Sequence, residues 1–186
     1  MAQVIEGLDA GRVRANVERV REDIAAAGRD AAAVEVLAAV KYVPLEQLGA
    51  LAEAGITLFG ENRAQELAAK AAAWGPDRGI TWDFIGHLQS RKVRQVLPLV
   101  RWIHSVSTDS VLRELAKHGT PQTEVLVEVN VAGEEAKGGV PPAELDAFLE
   151  RVPCRVAGLM TMPPLARRPE DSRRWFAALA ELAAAR

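Results

Sequence analysis

Val34-Glu-Val-Leu-Ala-Ala-Val-Lys-Tyr-Val-Pro44 is the stretch on which the fold turns. Its first seven residues are mostly apolar and include β-branched side chains, the composition of a strand buried on both faces of a parallel sheet. The turn that follows, Lys41-Tyr-Val-Pro44, contains no glycine. An open doubly wound sheet that binds dinucleotides carries a glycine-rich turn after its first strand. Here Pro44 instead opens a helix, with Leu45, Leu48 and Leu51 on one face and Gly55 beyond it. A strand–helix step without the glycine fingerprint favours a closed (β/α)8 barrel over the doubly wound sheet.

The same alternation extends in both directions. Ahead of it, Val13, Val17, Val20 and Ile24 recur at helical spacing up to Gly28, which predicts an extra N-terminal helix. Behind it, strands are expected over 56–59, 81–85, 102–106, 124–131 and 155–160. Helices are expected over 64–74 and 90–97, from Asp109 (as a cap) to Gly119, from Pro141 or Pro142, and over 171–185. In the last helix Trp175, Phe176, Leu179 and Leu182 are expected to face inward. Strand starts recur every 20 to 31 residues, a rhythm that identifies an α/β protein with parallel strands. A closed barrel needs eight strands and typically about 250 residues. The 186 residues supply six βα units. The expected fold is therefore a TIM-type barrel, a single domain over residues 1–186, truncated after the sixth unit with strands seven and eight missing.

Composition narrows the function. Apolar residues make up 49% of the chain and charged residues 26%, ample for a core and ordinary for a globular protein. With 23 basic and 25 acidic residues the net charge is -2, which argues against nucleic acid as a partner. One cysteine, Cys154, excludes an internal disulfide and a cysteine-cluster metal site. No secretory signal and no membrane-length apolar run is visible, so a cytoplasmic protein without a membrane partner is expected. His87, His104 and His118 lack metal-ligand spacing, and no phosphate loop or nucleophile elbow occurs.

Chemistry in such barrels sits at the C-terminal ends of the strands. Those positions hold Lys41, Asn62, His87, Ser105 or Ser107, Asn130 and Met160-Thr-Met162. A lysine held against an apolar wall favours its neutral form, and a neutral amine can attack an aldehyde to give a Schiff base. The competing reading of Lys41 is a side chain that reaches out to solvent. Asn62, after Gly60, can hydrogen-bond a ligand hydroxyl or cap the next helix. His87 can stack on or bond to a flat ring, and Ser90 can cap the helix after it. Residues 133–139 read as a flexible loop over the mouth.

On these residues the sequence resembles the pyridoxal-phosphate homeostasis family, single-domain relatives of the alanine racemase barrel. The matching stretches are Leu37-Ala-Ala-Val-Lys41, Phe59-Gly-Glu-Asn-Arg-Ala-Gln-Glu66, Trp82-Asp-Phe-Ile-Gly-His-Leu-Gln-Ser-Arg-Lys92, His104-Ser-Val-Ser107, Val129-Asn-Val-Ala-Gly-Glu-Glu-Ala-Lys137 and Gly158-Leu-Met-Thr-Met162. The resemblance implies pyridoxal 5′-phosphate (PLP) held as a Schiff base on Lys41. It implies Asn62 near the cofactor's ring substituents, with His87 and Met160 lining the pocket. It further implies a non-catalytic role in vitamin B6 and amino-acid homeostasis, with PLP-dependent enzymes as a candidate class of partner. Val40 stands where the family often has a small hydroxyl residue, and the family's later phosphate-binding segments have no counterpart here. Two alternatives stay open: a racemase-like PLP enzyme, and a remnant that no longer binds PLP.

Overall fold

The computed structural model describes residues 4–134 and 137–186. Two residues of the expected 133–139 loop, 135 and 136, lie outside the described residues. Contacts divide the chain into two compact units, residues 1–83 and 84–186.

The first unit begins with α1, Ala10–Ala26, whose N-terminus is closed by Asp9 accepting from the Arg12 N–H. The expected apolar stripe is only partly covered: Val13, Val17 and Ile24 are half-buried and Val20 is exposed. Two strands follow, β1 (Ala38–Ala39) and β2 (Leu58–Glu61), paired in parallel with Ala38 opposite Phe59 and Ala39 opposite Gly60. β1 is shorter than the expected 34–40, and residues 31–33 ahead of it form a 3-10 turn capped by Asp30. Helix α2, Leu48–Glu53, connects them, and α3, Ala64–Trp74, follows β2. Every residue of β2 is buried, as in a strand covered on both faces. The core gathers on Val40, Leu48, Phe59 and Leu67, with Trp74 and Trp82 meeting the Phe59 ring edge-on at 6.1 and 5.4 Å. The Thr81 N–H donates to Thr57 at 2.8 Å, where β3 (Thr81–Phe84) begins beside β2.

The second unit begins at Phe84, the last residue of β3, and its strands pair in parallel. β4 is Trp102–Val106, β5 Glu124–Glu128 and β6 Arg155–Met160. Phe84 pairs with Ile103, Ile103 with Val125, and Val125 with Val156. The helices are α4 (Val93–Val96), α5 (Asp109–His118), α6 (Leu145–Leu149) and α7 (Arg173–Ala184). Ile103, Val106, Leu115, Val125, Val127 and Leu145 form this unit's core. The parallel α/β rhythm read from the sequence is thus present in six strands among the described residues.

Three expectations need correction here. Thr108, not Asp109, caps α5: its hydroxyl accepts from the Val111 N–H, and Asp109 falls in the first turn, where its charge still suits the helix dipole. The helix expected over 90–97 is broken into 3-10, α and 3-10 pieces, with Pro98 inside the last. Phe176 is 52% exposed rather than inward, while Trp175, Leu179 and Leu182 are half-buried. β6 is likewise only half-buried, so α7 packs on a strand whose cover is partial. Among the described residues no helix is long and apolar enough to cross a membrane.

The loop after β5 is pinned to the sheet. Val140 donates to the Glu128 carbonyl at 2.7 Å and accepts from the Asn130 N–H at 3.0 Å. Gly139 makes that approach possible: its φ is 109°, and a Cβ there would lie 2.6 Å from the Asn130 nitrogen. Gly139→Ala is expected to cost roughly 1–3 kcal/mol, read as a lower urea midpoint. Gly49→Ala, in α2 with open space around the added methyl, is expected to gain roughly 0.4–1 kcal/mol in the same assay. Equal midpoints for the two variants would contradict this packing.

Candidate functional site

The site is built from the turn after β1. Val40 is fully buried, and its N–H donates to the Gly60 carbonyl at 2.9 Å, extending the β1–β2 ladder by one residue. Its carbonyl accepts from the Val43 N–H at 3.0 Å, which folds the Lys41-Tyr42 turn. Lys41 emerges from this buried base with an exposed side chain. Its ammonium lies 5.2 Å from the centroid of the Tyr42 ring, within cation–π range. Of the two readings of Lys41, the exposed side chain matches the one that reaches outward. A cleft of about 670 Å³ opens here, lined by Lys41, Tyr42, Leu45, Arg63 and Lys70 among others. That size suits a small-molecule ligand.

Asn62 belongs to the same turn cluster. The β1–β2 register pairs Ala39 with Gly60. Two residues further along each strand stand Lys41 and Asn62. Asn62 is half-buried. It does not cap α3, because Arg63 occupies that position and makes no side-chain cap bond.

Two residues of this cluster were not singled out from sequence. Glu61, the last residue of β2, is completely buried, and Lys70 of α3 is 6% exposed. Their charged groups lie 3.6 Å apart, an ion pair longer than a hydrogen bond, and among the described residues neither Glu61 oxygen has a partner at hydrogen-bond geometry. The Lys70 ammonium donates instead to the Val40 carbonyl at 2.8 Å. Burial pushes the Glu61 carboxyl above its ordinary value, and the charge of Lys70 opposes that rise without cancelling it. A signal for Lys70 existed: Ala64, Leu67, Lys70 and Trp74 share the buried stripe of α3.

The second unit gathers a different group. His87 is exposed on the loop after β3, a loop held by the Ser105 hydroxyl donating to the Gly86 carbonyl at 2.5 Å. Met160, half-buried at the end of β6, stands opposite Glu128 of β5. Burial raises the Glu128 carboxyl, and the charge of His87 partly offsets it. Glu128 is the third residue that sequence reasoning missed. Thr161 is buried, its hydroxyl bonded to the Val129 carbonyl, and Met162 is exposed. Asn130 is occupied by its loop: its side chain donates to the Glu134 carbonyl and accepts the Glu134 N–H at 2.9 and 3.2 Å. Ser90 is the first residue of its 3-10 turn, and Gln89 stands at the cap position before it. Among the described residues no cluster of three or more potential metal ligands occurs.

Comparison with known proteins supplies the class. Residues 8–186 match the family model described as alanine racemase, N-terminal domain. The likeness then narrows. A pyridoxal phosphate homeostasis protein of Aquifex aeolicus is 39% identical over 173 residues, 89% of this chain and 75% of the relative. One from Pseudomonas aeruginosa is 38% identical over 172 residues, 88% of this chain and 74% of the relative. Within that domain class, the chain belongs to the pyridoxal phosphate homeostasis protein family. Among solved structures it is similar to PipY of Synechococcus elongatus with PLP bound, at a TM-score of 0.67 and 28% identity, covering 89% of this chain and 80% of PipY. Alanine racemase from Corynebacterium glutamicum, at 16% identity and a TM-score of 0.70 over 98% of this chain and 52% of the racemase, shares the fold.

The buried Glu61 gives a pH test. The folded chain holds this proton more tightly than the unfolded chain, so stability falls as pH rises from 4.5 through the raised folded value. Glu61→Gln removes that titration. The variant's stability relative to the parent chain is expected to climb from pH 4.5 toward neutrality, measured by urea midpoints at a series of pH values. A difference that stays flat or falls contradicts the assigned burial.

Proposed function

We propose that this chain binds pyridoxal 5′-phosphate covalently through the amine of Lys41, as a non-catalytic holder of the vitamin in the cytoplasm. The observation that carries the reading is the placement of Lys41: a reachable primary amine on a turn whose preceding residue is fully buried, at the C-terminal end of a parallel strand. A neutral amine condenses with an aldehyde, forming one C=N bond and releasing one water, with no change in oxidation state. When bound, PLP supplies the aldehyde. Asn62, two residues beyond the Ala39–Gly60 pair, is proposed to hydrogen-bond the ring substituents. His87 and Met160 are proposed as further ring-contacting residues, on the strength of their strand-end positions and the family resemblance.

The family name and the PLP-bound PipY structure support the ligand. The non-catalytic assignment draws support from the homeostasis names of the relatives. Tyr42 is the one tyrosine in the chain, and its ring lies beside Lys41 itself. A racemase of the related type needs a second acid/base group facing the lysine across the cofactor. A holder that releases its ligand on demand serves enzymes that require PLP, and these are the proposed class of partner.

The test is spectroscopic. Addition of PLP is expected to produce a visible absorption band that borohydride abolishes. Lys41→Ala is expected to lose the band and bind PLP at least about tenfold more weakly. An unchanged spectrum and affinity in Lys41→Ala contradicts the proposal.

A further inference from the structure

We propose that Lys70 is a positioning residue for the amine of Lys41, holding the Val40 carbonyl from beneath while Glu61 balances its charge; this rests on the function proposed above. The Val40 carbonyl receives two donors, the Val43 N–H at 3.0 Å and the Lys70 ammonium at 2.8 Å. A carbonyl oxygen has two lone pairs, so both are used. The peptide joining Val40 to Lys41 is planar, so fixing its carbonyl direction also fixes the direction of the Lys41 N–H. The N–H of Val40 is already tied to Gly60 at 2.9 Å. The backbone entering Lys41 is therefore held on both sides, and the side chain leaves it from a set direction.

Stability alone explains this arrangement poorly. The side chains of Lys70 and Glu61 are 8% and 0% exposed, yet the pair is separated by 3.6 Å and, among the described residues, neither carboxylate oxygen has a partner at hydrogen-bond geometry. Removing two charges from water is repaid only when geometry is excellent and the remaining lone pairs are satisfied. Here they are not, and an apolar residue on this stripe of α3, between Leu67 and Trp74, would bury without that penalty. What the ammonium does supply is a charged donor at one carbonyl, the one directly before the proposed reactive lysine. Charged hydrogen bonds of this kind are shorter and stronger than neutral ones.

Two variants separate positioning from bulk stability. Lys70→Met keeps the stem and removes the donor, leaving Glu61 unpaired. Glu61→Gln combined with Lys70→Met removes both charges and is expected to recover the thermal midpoint. Amide hydrogen exchange at Val43 reads the turn directly and needs no ligand. The expected result is exchange at Val43 about tenfold or more faster in both variants, the scale of one lost charged hydrogen bond, with core amides of β2 unchanged in the double variant. In that double variant the yield of borohydride-fixed PLP on Lys41 is expected to stay about tenfold below the parent, despite recovered stability. Parental exchange at Val43 overturns the proposal, as does a parental yield on Lys41 in the double variant. A parent chain that carries no adduct on Lys41 overturns the functional reading instead, while Val43 exchange still decides whether Lys70 holds the turn.

Discussion

The peptide unit of Val40 is the constraint on which the candidate site depends. Its N–H closes the β1–β2 ladder on Gly60, and its carbonyl collects the Val43 N–H and the Lys70 ammonium. Its side chain is completely buried. A chain held this firmly at one residue can present the next as a free amine without losing its direction. Lys41 is exposed while everything immediately beneath it is fixed. This is how a rigid strand end differs from a mobile loop as a place to hold a reactive group.

Charge is the second theme. Each unit has a carboxylate at the end of a strand, the buried Glu61 of β2 in the first and the half-buried Glu128 of β5 in the second, and burial raises both. Each has a basic neighbour in its own unit, Lys70 for one and His87 for the other. Neither pairing is an efficient source of stability, because ionised groups are costly to bury. Both stand at strand C-terminal ends, the side on which this fold class does its chemistry.

Much of the fold was legible because its strands are apolar runs punctuated by glycine and proline. β3 to β6 begin where the pattern places them, and α3 coincides with its alanine-rich stretch. What was not legible has local causes. Residues 34–37 look like strand but lie ahead of β1, whose pairing begins at Ala38. Thr108 takes the cap from Asp109 because either residue type can cap, and only backbone geometry chooses. Phe176 reads as core by period, yet it is exposed on a helix covering a half-buried strand.

For the site, Lys41 and Asn62 could be found because strand ends are functional positions in parallel α/β folds. Glu61 and Lys70 could not be told from surface charges by residue type alone. Their burial follows from Leu58-Phe-Gly-Glu61 being covered throughout and from Lys70 sharing a stripe with Leu67 and Trp74. The central claim is that one lysine, raised on the Val40 turn, holds the ligand. Peptide mapping by mass spectrometry after PLP loading and borohydride reduction tests it directly. The account predicts the reduced adduct on Lys41; a label spread over the other lysines at 70, 92, 117 and 137, or absent from Lys41, would contradict it.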